Sequence, residues 1–269
     1  MTLWGWASPQ NVYAGSKYQV SIPPAIDADT AQALTADLLD LLNKNTGQLF
    51  LLAPASNPLS YMDNLQSGRF TVVFEGPHVL GALSALNLMQ PVGIFSQNQS
   101  YVVVVSKRDN DIYQLSDLAG KPLCTGGIPD LYSLHLLGQI DNPSREPVLL
   151  PVADHRRRIR ALINGQCQAA TIQTTRYLTL DPADGFDDLR IIHQSSTLPG
   201  FGVAIANDLP DDLGANITTT LTSGEGRRIA RSLAIALTGD DAPLVAMNDD
   251  RLETLIKLAD LVDIYFNLP

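Results

Sequence analysis

The sequence predicts an α/β fold built from mainly parallel sheets that are covered by helices. Short apolar strands alternate with helical segments almost throughout the 269-residue chain, as in sheets joined by helical crossovers. Hydrophobic residues make up 45% of the chain and charged residues 17%, so the chain can bury a sizeable core. No apolar run approaches the roughly 20 residues that a membrane-spanning helix needs.

Turn-forming residues bound the elements of the first half. A helix that begins near Asp29 carries leucines at helical spacing and ends at Gly47. Pro23–Pro24 ends the strand before it, and Gly76–Pro77 opens a later helix. We therefore predict strands at 18–23, 48–53, 71–74, 94–95 and 101–105, and helices at 29–46, 60–67 and 78–88.

The second half repeats the alternation, and Gly224 and Gly239 punctuate its last three helices. The predicted strands cover 122–125, 147–151, 168–172, 189–193 and 202–206. The predicted helices cover 131–138, 155–164, 213–221, 225–237 and 250–266.

Charge and cysteine content limit the possible partners and compartment. The net charge of −10 argues against a nucleic-acid partner, because phosphate backbones favour clustered lysine and arginine. Cys124 and Cys167 have no CxxC or metal-ligand spacing, so we expect two buried thiols, although an exported protein could pair them. The first ten residues lack the features of a signal peptide, so in a secreted protein that peptide would already have been removed.

Residues 101–121, YVVVVSKRDNDIYQLSDLAGK, carry the most informative pattern. A β-branched strand leads into a charged turn, a short helical turn, the segment DLAGK and a new strand. This order resembles the crossing from the first to the second lobe in type II periplasmic solute-binding proteins. The resemblance implies two lobes that close on a small ligand, which is a binding function.

Further segments resemble the phosphate/phosphite/phosphonate-binding branch of those proteins, over roughly residues 18–240. They are the turn Phe74–Pro77, the stretches 153–155, 161–165 and 169–170, and residues 189–192 with Pro199. The resemblance implies a first lobe of residues 1–103 and 195–269 and an inserted second lobe of residues 104–194, joined by two hinge strands. It also implies a monomeric periplasmic receptor without a cofactor, which presents its ligand to an ABC permease or a sensor kinase.

The chain departs from that family at the expected ligand site. Where the family has a Ser-Thr-Ser run at a helix start, this chain has GGIPDLYS at 126–133, with Ser133 and Thr125 as the hydroxyl candidates. Asp130 adds a negative charge there, and the family's tyrosine after the Gly-Pro turn falls on Leu80. His155 is the potential ligand contact that carries over, so the resemblance predicts the fold but not phosphonate specificity.

Candidate ligand contacts lie where predicted strands end or helices begin, since these positions face the cleft between lobes. They are Pro24, Ser56, Tyr61, Glu75, His78, Asp130, Tyr132, Ser133, His155, Gln173, Thr174 and Thr175.

Several of these candidates have a structural alternative. Tyr61 could pack in the first turn of its helix, and Glu75 and Asp130 could be helix caps. The arginines that follow His155 in HRRRIR are expected on a solvated helix face.

Two other functions compete with the solute receptor. A transition-metal receptor could use Glu75, His78, His155 and His193, because imidazole and carboxylate groups bind zinc or iron. An enzyme on the same scaffold is disfavoured, since the sequence contains no GxSxG, HExxH or Walker A motif.

Overall fold

The computed structural model describes residues 17–24, 26–53, 57–108, 111–152, 154–181 and 186–263. In chain order, strands β1 to β11 are Lys17–Ser21, Leu49–Leu52, Val72–Glu75, Met89–Phe95, Tyr101–Ser106, Pro122–Thr125, Val148–Pro151, Ala169–Gln173, Leu189–Gln194, Gly202–Ala206 and Leu244–Ala246. Helices α1 to α9 are Ala28–Thr46, Pro58–Gln66, Pro77–Ala85, Leu131–Leu137, His155–Ile163, Thr174–Leu178, Asp211–Thr222, Gly224–Thr238 and Asp249–Ile256.

The predicted α/β architecture is confirmed, with two separate sheets flanked by helices. One sheet has the order β11-β4-β10-β3-β1-β2 and the other the order β7-β6-β8-β5-β9. Each sheet with its helices is called below the six-stranded or the five-stranded half. Both sheets are mixed rather than mainly parallel, because β10 runs antiparallel to β3 and β4, and β5 antiparallel to β8 and β9.

The chain crosses between the sheets twice, and the two crossings pair with each other. Strand β5 lies entirely in the five-stranded sheet, so the first crossing is at residues 96–100 rather than near residue 103 as predicted. The return crossing covers residues 195–201. A bridge between Gln99 and Leu198, with both backbone N–H···O distances at 2.7 Å, holds the two segments together.

Local sequence signals explain most helix boundaries. The Asp27 side chain, rather than that of Asp29, caps α1 by accepting the Thr30 backbone N–H at 3.0 Å. Gly47 ends α1 in the left-handed conformation that glycine adopts without strain. The predicted helix at 250–266 instead comprises α9 and a 3₁₀ turn at Ala259–Val262, and residues 264–266 lie outside the described part of the chain.

The C-terminal segment contacts both halves of the molecule. Leu255, Ala259 and Val262 are buried with residues of α3 in the six-stranded half. Leu134 of α4, in the five-stranded half, belongs to the same apolar cluster. Hydrophobic burial therefore adds a third connection between the halves, besides the two crossings.

Cys124 and Cys167 form a disulfide, which corrects the prediction of two buried thiols. Cys124 lies in β6 and Cys167 precedes β8, the neighbouring strand of the five-stranded sheet. Both residues lie in a buried apolar cluster, as expected for thiols, so burial alone could not distinguish the two states.

No helix in the described ranges combines the length and apolar character that crossing a bilayer requires.

Candidate ligand-binding site

A cavity of about 430 Å³ lies between the two halves, where several strands end. Strand β3 ends at Glu75 and β8 at Gln173, while Pro23 and Pro24 follow β1, so both sheets contribute to its walls. Helices α3, α4 and α5 begin beside the cavity. Ligands of α/β proteins commonly bind at such strand ends.

Glu75 and Tyr61 line the cavity from the six-stranded half. Glu75 is 6% exposed, and one of its carboxylate oxygens accepts the Gly76 backbone N–H at 2.6 Å. Burial raises the pKa of Glu75 to about 7, although the Gly76 hydrogen bond and the nearby Tyr61 hydroxyl act to lower it. That hydroxyl has no hydrogen-bond partner of normal geometry within the described residues. Burial, followed by the charge of Glu75, raises the pKa of Tyr61 well above its usual value.

His78 connects the two halves directly. Its Nε2 atom lies 2.9 Å from the carbonyl oxygen of Pro129, which follows β6 in the other half. Because a carbonyl can only accept, Nε2 carries the proton and Nδ1 of the neutral ring is an acceptor. This Nδ1 atom is buried and has no partner in the described part of the chain. Burial lowers the pKa of His78, which favours the neutral ring. Glu75, Tyr61 and His78 together are called the acceptor wall below.

The start of α4 places Asp130 and Ser133 differently. Asp130 lines the cavity and also caps the helix, since its side chain accepts the Ser133 backbone N–H at 3.0 Å. The fully buried Ser133 hydroxyl donates to Asp130 at 2.9 Å and contacts the Thr125 hydroxyl. Ser133, a predicted ligand contact, and Thr125 are not among the residues that line the cavity, and their hydroxyls contact each other and the start of α4.

Tyr132 lines the cavity and is linked to both crossings. Its hydroxyl donates to the Gln99 side-chain oxygen at 2.8 Å. The Gln99 amide in turn donates to the Pro199 carbonyl at 3.3 Å. Gln99, which was not among the predicted contacts, also lines the cavity.

His155 and Arg158 line the cavity from the start of α5. Burial, with the neighbouring Arg158 charge, lowers the pKa of His155 to about 4. Asp154 caps α5 by accepting the Arg157 backbone N–H at 2.9 Å, so His155 is not the cap of this helix.

Arg158 is a cavity residue that the sequence analysis wrongly assigned to a solvated face. It is 3% exposed, and its guanidinium donates to the carbonyls of Val152 at 2.5 Å and Thr171 at 3.2 Å. The signal was the helical spacing, since Arg158 and Leu162 lie four residues apart on the buried side of α5. Arg156 and Arg157 are exposed as predicted.

Only the first residue of the predicted Gln173–Thr175 cluster lines the cavity. The Gln173 amide donates to the Thr238 carbonyl of α8 at 2.7 Å, across the two halves. Thr175 also spans the halves, since its hydroxyl donates to Asp240 at 3.3 Å. Thr174 instead accepts a hydrogen bond from Ser100 at 2.8 Å, beside the first crossing.

The four residues considered as metal ligands do not assemble into a site. His193 lies on β9 beside the Tyr101 ring, at a centroid distance of 6.0 Å, and is not a cavity residue. Across the described ranges, no group of three His, Cys, Asp or Glu side chains could hold a metal ion. Pro24 lines the cavity, and Ser56 lies outside the described residues.

Two mixed sheets joined by paired crossings, with a cavity between them that receives side chains from both, define the class of two-lobe solute-binding proteins. The family model "ABC transporter, phosphonate, periplasmic substrate-binding protein" matches residues 20–239, and the chain belongs to this family. No curated protein sequence is significantly similar to the chain.

Solved structures with the same fold share little sequence identity with this chain. XAC2383 from Xanthomonas citri, bound to ATP, has a TM-score of 0.75 at 14% identity, covering 94% of this chain and 99% of that one. PhnD1 from Prochlorococcus marinus, in complex with methylphosphonate, has a TM-score of 0.63 at 11% identity, with coverages of 92% and 98%. The phosphonate-transporter binding protein PA3383 from Pseudomonas aeruginosa has a TM-score of 0.64 at 15% identity, with coverages of 91% and 85%.

Proposed function

We propose that this protein is an extracytoplasmic receptor that captures a small polar solute between its two halves and presents the closed form to an ABC permease or a sensor kinase. The supporting observation is the cavity between the halves, which receives polar side chains from both of them. A ligand that contacts both halves binds the closed form more tightly, and this difference in affinity drives closure. The receptor is proposed to act as a monomer, without catalysis.

The two halves are proposed to be the moving lobes. The resemblance predicts residues 1–103 and 195–269 in one lobe and 104–194 in the other, and the pairing of β5 within the five-stranded sheet supports a first boundary at residues 96–100. The hydrogen bonds from His78 to Pro129 and from Gln173 to Thr238 join the halves in a closed arrangement. The Cys124–Cys167 disulfide supports an oxidising compartment.

Ligand-induced closure is the direct test of this function. We expect native mass spectrometry of gently purified protein to reveal a retained solute, because tight-binding receptors keep their ligands. Small-angle X-ray scattering should then give a smaller radius of gyration with that solute than after its removal. An unchanged radius with a ligand of proven affinity would contradict closure between the halves.

Inorganic phosphate and simple alkylphosphonates are expected to bind weakly, well short of micromolar affinity. The hydroxyls of Ser133 and Thr125 contact each other and the start of α4 and do not line the cavity, whereas Asp130 does. Each lost hydrogen bond costs about 1 kcal/mol, and a carboxylate repels a dianion unless it is protonated or paired. Isothermal titration calorimetry at neutral pH measures this, and submicromolar methylphosphonate binding would overturn the prediction.

Replacement of His155 by alanine is expected to weaken binding of the retained solute about tenfold or more, because a buried hydrogen bond is lost. The melting temperature of the empty protein should barely change, since Asp154 rather than His155 caps α5. Arg156→Ala is the matched control, because Arg156 is the exposed next residue. Equal affinities for His155→Ala and Arg156→Ala would remove His155 from the site.

A further inference from the structure

The acceptor wall contains buried polar atoms that the fold leaves without donors. His78 Nδ1 has no hydrogen-bond partner in the described part of the chain, and the Tyr61 hydroxyl, beside the Glu75 carboxyl, has none of normal geometry there. Both side chains are nearly fully buried. The Glu75 carboxylate beside them takes one N–H, from Gly76. Buried polar groups in proteins are ordinarily satisfied, so a bound ligand is the expected source of the missing donors.

The position that an oxyanion would take at the start of α3 is already held by Glu75. The amino terminus of a helix attracts anions through its free N–H groups and its dipole. Here the Gly76 N–H is bonded to Glu75, and Pro77 has no N–H to offer. An oxyanion that approached the next N–H groups of α3 would lie beside a carboxylate.

The charged residues around the cavity also disfavour an oxyanion at the acceptor wall. Arg158 is the one lysine or arginine among the described residues that line the cavity, and it belongs to the five-stranded half. Burial lowers the pKa of Arg158, and the charge of Asp130 on that same side acts against this shift, so Asp130 is a nearby counter-charge for Arg158. Glu75 forms no salt bridge with any described residue. The acceptor wall therefore carries a carboxyl group without a cation.

We propose that the acceptor wall binds a cation that bears N–H groups, such as a primary ammonium or an amidinium. This inference rests on the proposed function and names the ligand class. The N–H groups would donate to Glu75, Tyr61 and His78 Nδ1, which supply acceptors from three side chains. The rest of the ligand would lie against the apolar part of the cavity, formed by Pro23, Pro24, Met62, Val79, Ile128, Leu131, Phe201 and Leu237.

Three probes that share a benzene ring separate charge from N–H donation. Benzamidinium carries both a positive charge and N–H groups, phenyltrimethylammonium carries the charge alone, and benzoate is the anion of similar shape. In calorimetric titrations of the solute-free protein at pH 8, we expect benzamidinium to bind with the highest affinity. Its affinity should exceed that of either other probe about tenfold or more.

Two variants locate the binding on the acceptor wall. Glu75→Gln is expected to weaken benzamidinium binding about tenfold or more, and Tyr61→Phe several-fold while the charge of the wall is kept. Glu225→Gln is the control, because Glu225 is an exposed glutamate at the start of α8. Tyr61→Phe removes one oxygen, from a hydroxyl that makes no hydrogen bond of normal geometry among the described residues, so it tests the wall even if Glu75→Gln fails to fold.

The outcomes distinguish this inference from the function on which it rests. Preferential binding of benzoate, equal binding of phenyltrimethylammonium, or no binding of any probe would overturn the cation-binding wall. So would benzamidinium binding that both variants leave unchanged. The receptor function itself fails only if no solute co-purifies with the protein and no solute that binds causes compaction.

Discussion

Reduction of the Cys124–Cys167 disulfide is expected to lower the free energy of unfolding by about 4 kcal/mol. The bond closes a loop with a sequence separation of 43 residues, and loss of that constraint gives the unfolded chain more conformations. For a protein of this size, a loss of 4 kcal/mol corresponds to a fall in melting temperature on the order of 10 °C.

Denaturant unfolding of oxidised and reduced protein measures this effect without changing any other atom. The double variant Cys124→Ala with Cys167→Ala is the control, because its stability should not respond to the reductant. Both cysteines are buried, so the disulfide must be reduced before the unfolding measurement begins. Counting the free thiols shows whether the reduction is complete. Identical unfolding midpoints for fully oxidised and fully reduced protein would contradict the prediction.

Replacement of Glu75 by glutamine is expected to stabilise the empty protein by up to about 3 kcal/mol above pH 7. The ordinary pKa of a glutamate is 4.5, and burial raises that of Glu75 to about 7. Between these values the folded protein holds a proton that the unfolded chain has released. In the unmodified protein, the contribution of Glu75 to the free energy of unfolding is therefore fully present below about pH 4.5. It is lost as the pH rises to 7, at about 1.4 kcal/mol per pH unit. Glutamine stays neutral and can still accept the Gly76 N–H.

His155 contributes a pH dependence of the opposite sign. Its pKa falls from an ordinary 6.5 to about 4 in the fold, so the unfolded chain takes up a proton first as the pH falls. The contribution of His155 to the free energy of unfolding is fully present above pH 6.5 and is lost as the pH falls to 4. His78 acts in the same direction, because burial also lowers its pKa. In the unmodified protein, the two histidines therefore make the free energy of unfolding rise with pH, whereas Glu75 makes it fall.

A difference curve isolates each group, because all unchanged groups cancel. The free energy of unfolding of Glu75→Gln minus that of the unmodified protein should rise between about pH 4.5 and 7 and then level off. The corresponding curve for His155→Gln should rise as the pH falls from 6.5 to 4. Glu225→Gln should give a flat curve, and a flat curve for Glu75→Gln would mean that its carboxyl group is not desolvated.

The sequence predicted residues near the cavity best where a strand ends in a recognisable turn. Glu75 and His78 flank the Gly76–Pro77 turn, and His155 follows a strand, so their positions along the chain implied their places in the fold. Arg158 was misassigned because a run of arginines has the composition of a solvated face. Its burial depends on the Val152 and Thr171 carbonyls, which lie on other elements and reach the guanidinium only in the folded protein.

The sequence alone determined the α/β class and the alternation of elements, because local hydrophobic periodicity and turn residues encode them. Only the tertiary structure decided the antiparallel placement of β5 and β10, since pairing partners far along the chain determine strand direction. Tertiary structure likewise hydrogen-bonded Ser133 to Asp130, joined Cys124 to Cys167, and left His78 Nδ1 without a hydrogen-bond donor among the described residues. These features arise from contacts between distant residues and from burial, neither of which is visible in the spacing of residues along one segment.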